Sequence, residues 1–466
     1  MIVKFAAIMG WAETAALNFI WGIIFPNLIR EPPVLNNTYW GSGDRSIDDT
    51  TIRPFKIDFS KEMVQDLKQR LDNVRLPQPA LENVGWSYGV RSEYIRSIID
   101  YWKKDYKFEQ REDKLNKYPQ FITKIQGLDI HYYHVKPQIS EGRQVQVLPL
   151  LILHGWPDSV VQYQKIIPLL NQPRSEYDFA FEMIIPSLPG FGYSDATTKQ
   201  GLDAPAMGEI LKNLMMRLEK PKFYVLGGDW GAWIASSMAI MYPNVILGLH
   251  STMCTRLTPE TYGQQFSFNP WNDKSITKWL IPTTEKPQDE SPSLQDYLFF
   301  VIEEGGYFHE QATKPDTIGF ALSDSPAGLA AYVLEKFAIA TNKLNKYSND
   351  GNITKLGLDE LIDNLMLYWI PNKITSSMRI YAESANRYSS FPQMEKMKVK
   401  VPTSCVQAPN EIIDTPKEDL CKRFVQMKNY QRLSKGGHFL ALEEPTLYAH
   451  EVWRGVGRIR NGTSAC

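Results

Sequence analysis

Phe223-Tyr224-Val225-Leu226-Gly227-Gly228-Asp229-Trp230-Gly231-Ala232 is the stretch that decides the fold of this chain. An apolar run ends on two glycines, one acidic residue follows, and small residues open a helical segment. Small residues two positions before and after an exposed polar one are what a strained strand-to-helix turn demands, because larger ones would strike the turn's own backbone. Such a turn presents a nucleophile, here Asp229 where serine is usual. Taken alone, these ten residues also fit a glycine-rich turn with Asp229 as a helix N-cap.

Aspartate in place of serine selects a reaction. A serine oxygen attacks acyl carbon, whereas a carboxylate doing so gives only an unstable anhydride. A carboxylate can instead displace a leaving group at saturated carbon, forming an alkyl ester of the protein. That ester is itself an acyl compound, so its hydrolysis needs a general base and an oxyanion hole. His438, in Ser434-Lys435-Gly436-Gly437-His438-Phe439, stands downstream where this chain order places the base. The expected oxyanion donors are the backbone N–H groups of Trp156, in His154-Gly155-Trp156-Pro157, and of Trp230. His154 itself reads as a structural loop residue. Glu411, Asp414, Glu418 and Asp419 are candidates for the acid that orients His438; Glu411 lies nearest the preceding strand and is the choice. Asp273 is a weaker alternative.

Outward from the turn, short and nearly continuous apolar runs at 147–153, 181–185, 222–226 and 245–249 alternate with helix-length segments at 159–170, 205–218 and 232–242. Runs without alternation predict parallel strands buried on both faces, and the βαβ rhythm predicts a helix-covered sheet. Residues 121–135 read as two short strands around Gly127. The rhythm stops after Met253 and returns at 399–406 and 430–433. The expected fold is α/β: a mostly parallel sheet with an inserted helical cap. Its divisions are an anchor at 1–30, a helical meander at 31–120, core at 121–255, cap at 256–370 and core again at 371–466.

Residues 5–29 are almost all apolar or small. As a helix they would reach about 37 Å, enough to cross a hydrocarbon layer of about 30 Å. The reading is a single-span membrane anchor, with a surface-lying helix or a signal peptide as alternatives. The remaining composition is ordinary: 51 basic against 52 acidic residues leave a net charge of −1, so no nucleic-acid surface is expected. Four cysteines are too sparse for a disulfide scaffold and read as fitting a reducing compartment. No metal-binding spacing occurs, and neither metal nor organic cofactor is implied.

Together, His-Gly-Trp-Pro at 154–157, Gly-Gly-Asp-Trp-Gly at 227–231 and Gly-Gly-His-Phe at 436–439 resemble the microsomal epoxide hydrolases of the α/β-hydrolase fold. Ala312-Thr313-Lys314-Pro315-Asp316-Thr317 and Ser325-Pro326-Ala327-Gly328-Leu329 extend the resemblance. Ile52-Arg53-Pro54-Phe55-Lys56-Ile57 and Thr375-Ser376-Ser377-Met378-Arg379-Ile380-Tyr381-Ala382-Glu383 direct it to the insect juvenile hormone epoxide hydrolases. The resemblance implies two cap tyrosines that donate to the epoxide oxygen, falling on Tyr307 and Tyr381, and it matches Glu411 to the family acid. It also implies a lipophilic epoxide as substrate, a vicinal diol as product, and the endoplasmic reticulum membrane with a cytosolic catalytic body. One departure is Ala340, in Phe337-Ala338-Ile339-Ala340-Thr341-Asn342, where the family usually carries tryptophan in the pocket wall. A xenobiotic epoxide hydrolase, a haloalkane dehalogenase and a non-catalytic hormone-binding protein are the alternative readings; oligomeric state is left open.

Overall fold

A computed structural model describes residues 31–256, 302–386 and 388–466. The anchor expected at 1–30, much of the expected cap before residue 302 and Asp273 lie outside the described residues. Among the described residues no helix is long and apolar enough to cross a membrane.

One sheet runs in the order β1-β2-β3-β5-β4-β6-β7-β8-β9. Its strands are β1 (Arg53–Phe55), β2 (Gln120–Ile125), β3 (Leu128–Val135), β4 (Gln146–Leu153), β5 (Phe179–Pro186), β6 (Phe223–Gly227), β7 (Ile246–Ser251), β8 (Thr403–Gln407) and β9 (Met427–Arg432). From β5 to β9 the neighbours are parallel; β1, β2 and β3 pair antiparallel at one edge. Every residue of β5, β6 and β8 is buried, the two-sided burial that makes a parallel strand apolar throughout. Helices Ala204–Arg217 and Asp229–Met241 pack together, the second against β4, β6 and β7, while Pro445–Asn461 covers β7, β8 and β9. The strand expected at 399–406 begins only at Thr403, after Pro402, which has no N–H to give a ladder. β1 was not expected at all: a three-residue edge strand containing proline carries no periodic signal.

The chain leaves the sheet after β7 and regains it at β8, so two crossings must be held together. Arg423, almost fully buried, does this. It donates to both carboxylate oxygens of Glu395 (2.6 and 3.0 Å), on the returning segment, and to the Thr255 carbonyl (2.6 Å), on the departing one. A disulfide joins Cys254 to Cys405 at the same place, with their Cα atoms 5.8 Å apart across 151 residues of sequence. A second pairs Cys421 with Cys466. All four cysteines are therefore bonded, which corrects the reading of them as a sign of a reducing compartment. Cysteine count is blind to this, because Cys254 and Cys405 become neighbours only once β7 and β8 pair, and Cys421 and Cys466 only once the C-terminus folds back onto helix Lys417–Arg423.

Between the crossings lie helices Gly306–Thr313, Pro315–Asp324, Pro326–Thr341, Leu358–Trp369 and Ile374–Ala385, the last packed on the first two. The meander grips this layer through Arg111, which pairs with Asp359, Glu360 and Asp363.

Candidate active site

Asp229 sits at φ +50, a left-handed conformation that costs a non-glycine residue energy and persists only where its surroundings enforce it. The surroundings here are glycines. A Cβ on Gly227 would lie 2.3 Å from the Gly231 carbonyl oxygen, and one on Gly231 would lie 2.2 Å from that of Leu153. Gly155 faces Asp229 itself, since its Cβ would lie 2.1 Å from Asp229 Oδ1. That oxygen accepts the Trp156 N–H at 2.8 Å, while Oδ2 stands 3.2 Å from His438 Nε2. His438 Nδ1 meets Glu411 Oε1 at 2.6 Å. The structure thus brings Asp229, His438, Glu411 and the Trp156 N–H into one continuous line. Trp230 follows directly, in the first turn of helix Asp229–Met241.

Of the competing acids, Asp414 pairs with Arg432 and Asp419 with Lys422, away from the imidazole, and Glu418 is exposed. His154 is fully buried: Leu188 N–H donates to Nε2, and Nδ1 lies 3.0 Å from the Gly155 carbonyl. Burial lowers its pKa to about 4, so it is a neutral structural residue. Sequence reasoning missed the supports of the His438 loop. Ala340 carbonyl accepts the His438 N–H at 3.0 Å, and a Cβ on Gly437 would strike the Thr341 carbonyl at 2.3 Å. Ala340, singled out for its side chain, thus holds the base through its backbone. Glu443 accepts the Gly437 N–H, and burial pushes its carboxyl up to about 8. Main-chain carbonyls and a helix-borne glutamate leave no motif to read.

Helices Gly306–Thr313 and Ile374–Ala385 bring aromatic rings to this site. Tyr307 stacks on Trp156 (centroids 5.5 Å apart), and Tyr381 meets Trp156 and Trp230 edge-on at 5.8 and 4.8 Å. The two tyrosine rings are 6.1 Å apart. Burial, with the Asp229 charge adding to it, raises both phenol pKa values, so both keep their protons at neutral pH.

Burial alone would push the His438 imidazole down, but the Glu411 carboxylate on one side and Asp229 on the other outweigh it and hold the ring well above its ordinary value. Both flanking acids therefore favour the charged imidazolium. Loss of either negative charge would return the imidazole toward the neutral, basic form.

Residues 52–163 match the family described as epoxide hydrolase N terminus, and residues 149–285 match the alpha/beta hydrolase fold. The chain is 42% identical to juvenile hormone epoxide hydrolase 2 of Ctenocephalides felis over 93% of its own length and 92% of the relative's. The chain belongs to the epoxide hydrolase family. Epoxide hydrolase 1 of Oryctolagus cuniculus is 40% identical over 91% of this chain and 93% of the relative. The crystal structure of juvenile hormone epoxide hydrolase from the silkworm Bombyx mori superposes with a TM-score of 0.84 at 41% identity, covering 91% of this chain and 99% of that one. This epoxide hydrolase has the expected α/β-hydrolase fold, and it is an enzyme that opens an epoxide with water.

Glu411→Gln removes the first of the charges that raise His438, so the imidazole pKa should fall. Because the native value lies above the ordinary one of about 6.5, charged His438 stabilises the fold fully below that pH. The stabilisation fades as pH rises through the raised value, and in the variant it should fade at lower pH. Imidazole C2–H exchange at His438, read by mass spectrometry across pH, measures the shift directly; an unchanged midpoint would remove Glu411 from the charge row.

Proposed function

We propose that Asp229 attacks an epoxide carbon, that Tyr307 and Tyr381 donate to the departing oxygen, and that His438, oriented by Glu411, activates the water that hydrolyses the resulting ester. The observation that carries this reading is the line from Trp156 N–H through Asp229 and His438 to Glu411, at 2.8, 3.2 and 2.6 Å. In the first step the Asp229 oxygen bonds to carbon, the ring C–O bond breaks, and a phenol protonates the alkoxide. The ester carries no charge, so His438 keeps only one of its two carboxylates; the imidazolium gives its proton to the phenolate left by ring opening and becomes a competent base. In the second step water adds to Cγ of Asp229, with the N–H groups of Trp156 and Trp230 as the oxyanion donors. Cleavage of the Cγ–O bond to the alkyl group releases the diol, and the Asp229 carboxyl passes its proton to His438, which restores both the carboxylate and the imidazolium.

The substrate we propose is a juvenile hormone, a lipophilic ester-epoxide. Support comes from the relatives of Ctenocephalides felis and Bombyx mori named for that hormone, and from the aromatic lining of the site. The rabbit relative, named only epoxide hydrolase 1, is nearly as similar and keeps a xenobiotic epoxide as the second reading. We assign the layer between the two crossings as a cap on a core that runs from residue 121 and resumes after it.

The N-terminal segment is proposed as an anchor to the endoplasmic reticulum membrane, on the strength of its apolar run at 5–29. The side is a separate matter. A cytosolic body was expected, but two disulfides favour an oxidising lumen. Asn36-Asn37-Thr38 and Asn461-Gly462-Thr463 are formal glycosylation sequons with exposed asparagines, and a lumenal body would present them for modification.

Two outcomes are expected of the purified full-length enzyme and its membranes. Diol formation from a juvenile hormone should exceed that from styrene oxide in kcat/KM, and Tyr307→Phe/Tyr381→Phe should lose ring opening by more than the roughly 10²–10⁴-fold typical of general-acid assistance from a single group. A preference for styrene oxide would select the second reading, and an undiminished double variant would strip the tyrosines of their role. On membranes, the protein should resist carbonate extraction and shift in mass with an asparagine-glycan-removing amidase. Extraction would refute the anchor, and an unglycosylated protein with freely alkylated thiols would place the body in the cytosol.

A further inference from the structure

Tyr332 and Lys336 stand four residues apart on helix Pro326–Thr341, so they share a face. That face meets Tyr307: Lys336 Nζ lies over the Tyr307 ring, 4.7 Å from its centroid, and over the Tyr332 ring at 5.9 Å. Trp156 stacks on the same Tyr307 ring. Glu335 pairs with the ammonium, and each of the two side chains keeps only 15% of its surface exposed. Charges buried to this degree are weakly screened. Neither step of the reaction yet uses this lysine.

Its effect lies in a difference. A cation over a neutral phenol feels the quadrupole of the ring, whereas over a phenolate it feels a full negative charge. An interaction that strengthens along the reaction coordinate lowers the barrier. Ring opening makes such a phenolate, because the epoxide oxygen leaves with a phenol proton. Burial first, then the charges of Asp229 and Glu335 and the neighbouring Tyr332, push the Tyr307 phenol up, while hydrogen bonding with Tyr381 works the other way. The Asp229 charge disappears as the ester forms, which leaves Lys336 to oppose Glu335. Tyr381 is flanked instead by the rings of Trp156, Trp230 and Phe308.

We propose that Lys336 is a positioning residue for ring opening: its ammonium stabilises the phenolate left on Tyr307, so that Tyr307 surrenders the proton and Tyr381 only hydrogen-bonds the departing oxygen. The inference rests on the role proposed above for the two tyrosines. As the Asp229 oxygen bonds to carbon, the ring C–O bond breaks and its electron pair takes the Tyr307 proton. The phenolate then takes a proton from His438, and Lys336 keeps all of its own. Ester hydrolysis involves no phenolate, so the two half-reactions respond differently to Lys336.

Single-turnover kinetics on the full-length enzyme separates them, with whichever of a juvenile hormone and styrene oxide it turns over faster. Glu335→Gln is the reference, because losing Lys336 alone would leave a buried carboxylate unpaired. Adding Lys336→Met should slow formation of the Asp229 ester about tenfold or more, toward the roughly 10²-fold lost with one transition-state donor, and leave ester decay within about twofold. Lys336→Arg in its place keeps a cation suited to an aromatic face and should restore most of the alkylation rate. With Tyr307→Phe also present, Lys336→Met should change alkylation by less than about twofold, since the lysine acts through that hydroxyl. A packing role would slow both backgrounds alike. Rate constants are compared and not amplitudes, so a partly unfolded preparation does not imitate the effect. Undiminished alkylation without Lys336, decay slowed as much as alkylation, or an equal loss with and without the Tyr307 hydroxyl would overturn the inference. Tyr307→Phe alone distinguishes the cases: if it forms the ester at the wild-type rate, the reading of Tyr307 as an acid falls and not only the part given to Lys336.

Discussion

The imidazole of His438 lies between two carboxylates in a closed site, 2.6 Å from Glu411 and 3.2 Å from Asp229. Magnitudes show why both are needed. Charges about 4 Å apart attract by about 4 kcal/mol at an effective dielectric of 20. Taking one ion out of water costs several kcal/mol. One carboxylate roughly offsets the burial of the imidazolium, and the second tips it to the charged side. In the proposed reaction Asp229 becomes a neutral ester, which changes its neighbour's protonation at the moment a base is required. Turnover and charge state are coupled without any moving part.

Holding that row constrains the rest of the molecule. Asp229 comes from the end of β6, Glu411 from beyond β8 and His438 from beyond β9. Their register depends on a sheet interrupted by the whole cap. The buried Arg423–Glu395 pair, the Thr255 carbonyl and the Cys254–Cys405 bridge all sit where that interruption begins and ends.

Legibility in the sequence followed the range of the forces involved. The turn at Asp229 was legible because its demands are local: glycines 227 and 231 answer to backbone atoms within the turn and in β4. The parallel strands announced themselves through two-sided burial, and Glu411 through its place after β8. The cysteine pairs were hidden because their partners become neighbours only in the folded chain. Tyr307 and Tyr381 carry no local signal and came only from family resemblance; their stacking on Trp156 and Trp230 is a tertiary fact.

The most direct measurement is the mass of the peptide containing Asp229 after His438→Gln enzyme has met a stoichiometric amount of epoxide. If the charge row works as described, the peptide gains the full mass of one epoxide on Asp229 and holds it long after wild type has released diol. A folded variant that turns over with no such adduct, or that carries the label on another residue, would contradict the account.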